Sequence, residues 1–123
     1  MLGSAPIIAC VATAQPEVAR SFYRETLGLP LIGEDQFALT FDANGTMLRL
    51  QIVETFTPQP FTVLGWAVRD IAQTVRELAA RGVAFHRYGF MQQDDLGIWS
   101  APSGARVAWF PDPDGNTLSL TQF

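Results

Sequence analysis

Histidine and cysteine are nearly missing from this chain, with one of each in 123 residues. A single cysteine rules out a disulfide within the chain, and a single histidine rules out any metal site built on two imidazoles of one copy. Basic residues are also scarce: eight Lys and Arg stand against twelve Asp and Glu, giving a net charge of −4 and a pI near 4.7. Binding nucleic acid or an anionic membrane requires a surplus of cations to release counterions, so neither partner is expected. There is no long hydrophobic run. Ile7-Ile8-Ala9-Cys10 mimics a lipoprotein cleavage box, but the apolar run Ile7 to Val11 is far too short to span a bilayer, and no Lys or Arg precedes Arg20. This segment reads as a strand, and a cytoplasmic location is the default expectation. Apolar residues are plentiful, at 48% of the chain, which suffices for one ordinary domain or two small halves sharing a core.

The most informative stretch is Trp109-Phe110-Pro111-Asp112-Pro113-Asp114-Gly115-Asn116, followed by the alternating Thr117-Leu118-Ser119-Leu120-Thr121. Two prolines and an Asp-Gly-Asn tip can continue neither a helix nor a strand, so the chain must reverse here as a hairpin. The chain also repeats itself. Ile7 to Val11 is a β-branched run; Pro16 then opens a helix with Val18, Ala19, Phe22 and Leu27 at helical spacing, and Gly28 ends it. About 55 residues later the pattern recurs. Val63 to Val68 is the strand; Asp70 caps a helix with Gln73 at the capping-box position; Ile71, Val75, Leu78 and Ala79 form its buried face, and Gly82 ends it. Three strand-like segments follow in each half: Leu31-Ile32, Phe37 to Phe41 and Met47 to Val53, with Asn44-Gly45 as a turn, then Phe85 to Tyr88, Arg106 to Phe110 and Thr117 to Thr121. Glu54 to Thr62, carrying Pro58 and Pro60, reads as the linker.

A strand, a helix and three strands used twice resembles the βαβββ module of the vicinal-oxygen-chelate superfamily, which includes glyoxalase I, the bleomycin-resistance proteins and the extradiol dioxygenases. The residues carrying the resemblance are the final hairpin, Phe22-Tyr23, Leu27-Gly28-Leu29 and Val68-Arg69-Asp70-Ile71. The resemblance covers nearly the whole chain. It implies an α+β fold in a single domain, residues 1–123, with one module over 1–54, a linker over 54–62 and a second module over 63–123. Curved mixed sheets would form a cleft, and the chain would assemble as a homodimer. In metal-dependent members, ligands come from the first and last strands of each module, usually His or Gln, Glu, His and Glu. Carried over, those positions are Ile8, Gln51, Val63 and Ser119, the last standing four residues after the turn glycine. Isoleucine and valine have no donor atoms, so neither a metal nor any other cofactor is expected.

Strand parity reaches a similar site from the residues alone. Leu48, Leu50, Leu118 and Leu120 must pack under helices, which turns Arg49, Gln51, Val53, Thr117, Ser119 and Thr121 to the other face. In the module arrangement, Ile8, Cys10, Val63, Gly65 and Ala67 join them from the two first strands. The candidate ligand-binding set is Ile8, Cys10, Arg49, Gln51, Val63, Gly65, Trp99, Trp109, Ser119 and Thr121. Its mixture of apolar wall, guanidinium, amide and hydroxyls suits a small organic molecule. Arg49 would grip a carboxylate or phosphate in two-pronged fashion, unless it is an exposed strand arginine paired to a surface acid.

Plainer roles compete for several residues. Cys10 fits core packing better than reactivity, since cysteine is usually buried and nothing basic adjoins it in sequence. His86 fits a strand edge better than a general base, and Trp66 fits the core. Trp99 and Trp109 suit either core or ligand stacking. Asp94 and Asp95 read as solvated loop acids before catalytic ones, and Glu54 as a rim residue. The leading function is binding or sequestering a small organic molecule, as the bleomycin-resistance branch does without metal. An isomerase or lyase using Arg49 and an acid such as Asp95 is the alternative, and an interaction module with a vestigial cleft is the third.

Overall fold

Alternation along the first strand, β1 (Ile8–Thr13), sets which side of its sheet is covered: Val11 and Thr13 are buried while Ile8 and Cys10 are exposed. The computed structural model describes residues 1–123 and divides them into two units, Met1–Thr57 and Pro58–Phe123. In the first unit α1 (Pro16–Ser21) follows, then β2 (Leu31–Glu34), β3 (Ala38–Ala43) and β4 (Thr46–Ile52), in the sheet order β1-β4-β3-β2. The second unit repeats the plan with β5 (Thr62–Ala67), α2 (Ile71–Ala80), β6 (Trp99–Ser100), β7 (Arg106–Pro111) and β8 (Thr117–Gln122), in the order β5-β8-β7-β6. In each sheet the first and last strands are parallel and the others antiparallel, so each is mixed. This is the expected α+β arrangement of two βαβββ modules. No helix is long and apolar enough to cross a membrane.

One helix covers one face of each sheet. In the first unit Ala19 and Tyr23, one helical turn apart, are fully buried over Leu39, Phe41, Leu48 and Leu50, with the Tyr23 and Phe41 rings 5.8 Å apart. Val18 lies beside that stripe and is exposed, contrary to its expected burial. The helix reaches its expected length by changing pitch: Phe22–Thr26 is a π-helical turn in which the Leu27 N–H donates to the Phe22 carbonyl, and Gly28 then takes φ 77° to end it. In the second unit Ile71, Val75 and Leu78 are buried, as are Ala108, Phe110, Leu118 and Leu120 of the sheet. Trp66 stacks on Phe110 at 6.5 Å, on the covered side, but is half-buried and so lies at the margin of the core instead of within it. Asp70 caps α2 by accepting from the Gln73 N–H at 3.0 Å, but the Gln73 side chain donates to Glu77 instead of closing the capping box.

The strand expected at Phe85 to Tyr88 is a correction. The third-from-last strand of the second module is the two-residue β6 at Trp99–Ser100. Phe85 to Tyr88 runs beside β7 and reaches it by the His86 N–H, which donates to the Trp109 carbonyl at 2.8 Å, while Phe85 packs on Phe110. Its remaining backbone groups are satisfied by a side chain. The Gln93 amide donates to the His86 carbonyl and accepts from the Tyr88 N–H, at 3.0 and 2.8 Å, and donates to the Gly97 carbonyl as well.

Both expected turns form. Asn44 and Gly45 have φ 53° and 93°, the left-handed pair of a tight hairpin, and Asp42 accepts from the Gly45 N–H. At the last hairpin the nearly buried Asp112 carboxylate holds the whole tip, accepting from the Asp114 N–H, the Asn116 N–H and the Asn116 side-chain amide, each at 2.9 Å. Replacing Asp112→Ala strands these donors in a buried place, so urea unfolding should show a loss of about 2 to 4 kcal/mol with an unchanged slope. Asp112→Asn, which keeps an acceptor, should lose less. Equal stability of parent and alanine variant would mean the carboxylate does not organise the hairpin.

Candidate functional site

Parity and register place the candidate residues on the uncovered face of each sheet. In the first unit, β1 runs parallel to β4 with Ile8 opposite Met47, Cys10 opposite Arg49 and Ala12 opposite Gln51; β3 extends the last two rows with Thr40 and Ala38. Ile8, Cys10 and Gln51 are exposed. Arg49 is half-buried, and its Nε is buried with no hydrogen-bond partner. It forms no ion pair either, so the alternative of a surface arginine paired to an acid does not hold. The acid that feels its charge is Asp35, whose carboxylate accepts from the Phe37 and Ala38 N–H groups at 2.8 and 3.0 Å. These backbone bonds, with a smaller pull from Arg49, hold the Asp35 carboxyl below its usual range.

Core packing of Cys10 is also overturned. The strand turns Cys10 away from Val11 and Thr13 to the open face, where its register partner is Arg49. No sequence-local signal could have shown this, because the basic neighbour arrives across the sheet.

In the second unit Gly65 is opposite Ser119, which is opposite Trp109, and the adjoining row is Ala67, Thr121, Val107 and Trp99. Trp99 and Trp109 therefore share the open face, with ring centres 6.1 Å apart. Val63, on the same side as Gly65, sits at an irregularity between Thr62 and Leu64. Ser119 is nearly buried because it fills the space that Gly65 leaves: a methyl group on Gly65 would stand 2.5 Å from Ser119 Oγ.

The two registers identify which residues correspond. Ser119 lies opposite Gly65, two residues after Val63, and the residue opposite Cys10, two after Ile8, is Arg49. Arg49 rather than Gln51 is thus the counterpart of Ser119. Each stands four residues after a hairpin glycine, Gly45 or Gly115, and that spacing was available in the sequence. The set Ile8, Val63, Ser119 and either Arg49 or Gln51 does not fit a divalent transition metal: two members are hydrocarbon, and no three His, Cys, Asp or Glu side chains cluster anywhere in the chain.

The loop acids have structural work. One Asp94 oxygen accepts from the Leu96 and Ile98 N–H groups, both at 2.9 Å, the other lies 4.0 Å from the Arg106 guanidinium, and Arg87 donates to the Asp94 and Asp95 carbonyls. Asp95 and Glu54 are exposed. Gln93, which ties three backbone groups together, was not legible, since glutamine in a polar loop carries no pattern.

The Gly65–Ser119 contact is testable. Gly65→Ala should cost about 1 to 3 kcal/mol because Ser119 Oγ must move, and Ser119→Ala should restore most of it, since the Ser119 Cβ stands 3.8 Å from the added methyl. Purely additive losses in the double variant would show that the two side chains do not meet.

The profile of the glyoxalase/bleomycin resistance protein/dioxygenase superfamily matches residues 7–120. Among solved structures, a member of that superfamily from Sphaerobacter thermophilus is 25% identical over all of both chains, with a TM-score of 0.78. A putative glyoxalase family protein from Bacillus anthracis is 19% identical, covers 97% of this chain and 94% of its own, and has a TM-score of 0.77. A lactoylglutathione lyase from Agrobacterium tumefaciens is 17% identical over 97% and 93%, with a TM-score of 0.74. The last two share the fold alone. No curated protein sequence matches the chain. Repeat, register and profile agree: the chain belongs to the glyoxalase/bleomycin resistance protein/dioxygenase superfamily.

Proposed function

We propose that this protein binds and sequesters a small organic anion on the open face of its first sheet, with Arg49 as the anchor and without a metal. The observation that carries the reading is the Arg49 Nε, buried and unpartnered. A guanidinium N–H withdrawn from water without an acceptor costs free energy that a ligand carboxylate or phosphate oxygen recovers, and the planar fork suits such a group in two-pronged fashion. Cys10 and Thr40 flank Arg49 in its row, with Ile8 and Gln51 in the rows on either side.

The working form we propose is a homodimer. Ile7, Phe37 and Met47 are exposed apolar side chains of the kind a second copy covers.

Titration of a panel of organic carboxylates and phosphate esters, with chelator present throughout, tests the first claim. The tightest binder should lose about 2 to 5 kcal/mol of affinity in Arg49→Met, the cost of removing one partner of a buried charge pair. Asp35→Asn removes the competing negative charge and should tighten the same ligand a few-fold. Affinity that survives Arg49→Met, or that needs added zinc or nickel, would sink the reading. For assembly, sedimentation at micromolar concentration should give twice 13.5 kDa; a stable monomer would refute the dimer.

A further inference from the structure

A cavity of about 340 Å³ lies within the second unit. Its lining is Pro58, Gln59 and Pro60 of the linker, His86 and Tyr88, and Gly115 and Thr117 of the last hairpin. The volume falls in the range that holds a small ligand. Two features show that the cavity is built and not a casual gap. Gly115, at φ 88°, lies so close to the linker that a methyl group on it would stand 2.9 Å from Pro58 Cγ, so the proline ring is seated on the hairpin tip. The Gln93 amide clamps the backbone of both His86 and Tyr88. Both parts of the lining are therefore held in place.

The chemistry of those walls selects a ligand. Tyr88 belongs to a run of rings: it lies 5.8 Å from His86, 5.5 Å from Phe90 and 5.6 Å, edge to face, from Trp109. The Pro58 and Pro60 rings add apolar surface to the same lining. Such a slot favours a flat guest that stacks on an aromatic face over a puckered one of equal area. The Tyr88 hydroxyl, the His86 imidazole and the Thr117 hydroxyl form no hydrogen bond within the chain, leaving polar groups to orient the guest. Like any phenol, Tyr88 is protonated at neutral pH and can donate, and burial pushes it further above its usual range. No acidic or basic side chain other than His86 lines the cavity, so charge on the guest is not required.

We propose that this cavity is a binding site for a planar aromatic or heteroaromatic ring carrying a hydrogen-bonding substituent, stacked on Tyr88 and oriented by Thr117 and His86. The probe pair is 2-naphthol and its saturated counterpart decahydro-2-naphthol, both neutral and both bearing one hydroxyl. His86 is the chain's only histidine, so its imidazole protons give proton NMR signals that need no assignment. Millimolar 2-naphthol should shift those signals saturably, and decahydro-2-naphthol should bind several-fold more weakly. Tyr88→Leu should weaken 2-naphthol about three- to tenfold, the range of one aromatic contact. Thr117→Val, on a sheet strand that tolerates either side chain, should weaken it a few-fold. The proposal is overturned if neither probe moves the His86 signals, if both move them equally, or if 2-naphthol binds Tyr88→Leu as well as the parent. Because the probes are uncharged, such a failure leaves the Arg49 reading standing, and a failed anion titration leaves this site standing.

Discussion

Each four-stranded sheet has one helix of its own to cover it, and the period-two alternation of strand side chains decides which face that helix receives. Leu48 and Leu50 on β4 and Leu118 and Leu120 on β8 commit their sheets to a covered side, and every residue between them is turned the other way. The site is the complement of the core. Moving either strand by one residue would bury Arg49 or Ser119 under a helix and expose a leucine row, so register and site stand or fall together.

That constraint explains why the same repeated framework can carry different chemistry. The parallel pairings β1 with β4 and β5 with β8 bring the same two strand positions together in both units, whatever residues occupy them. In metal-dependent relatives such positions hold donors, according to the resemblance drawn from the sequence. Here one unit sets Arg49 opposite Cys10 and the other sets Ser119 opposite Gly65. The first pairing places a cation where an anionic ligand group of the chain would otherwise be expected; the second closes a small gap with a hydroxyl. The framework persists while the residues it presents differ, a cation in one unit and a neutral hydroxyl in the other.

Much of this was legible because the informative patterns are local. Strand parity turned Gln51 and Ser119 away from the leucine faces, the module resemblance added Ile8 and Val63, the Asn44-Gly45 and Asp114-Gly115 turns fixed where the hairpins reverse, and Asp70 marked the start of α2. Legibility fails where a side chain does the work of a backbone. Phe85 to Tyr88 has strand-like residues and lies along β7, yet the Gln93 amide takes the hydrogen bonds that a ladder would have used, and the true partner of β7 is the two-residue β6. It fails again where neighbours meet across a sheet, as Cys10 and Arg49 do, since the sequence distance between them hides the contact.

Arg49 shows how far burial alone can argue for a ligand. An exposed guanidinium satisfies its donors with water and implies nothing, whereas a buried Nε without an acceptor is a standing cost to the folded chain. The chain contains an acid that could have relieved it. Asp35 is close enough for its titration to feel Arg49, but its carboxylate is turned to the Phe37 and Ala38 N–H groups, where it closes the turn between β2 and β3. Those two backbone bonds keep the negative charge near the guanidinium without letting it fill the fork. With the Asp35 carboxylate held by the backbone, no acid of the chain supplies the Arg49 Nε with an acceptor, and the proposed anion would supply one.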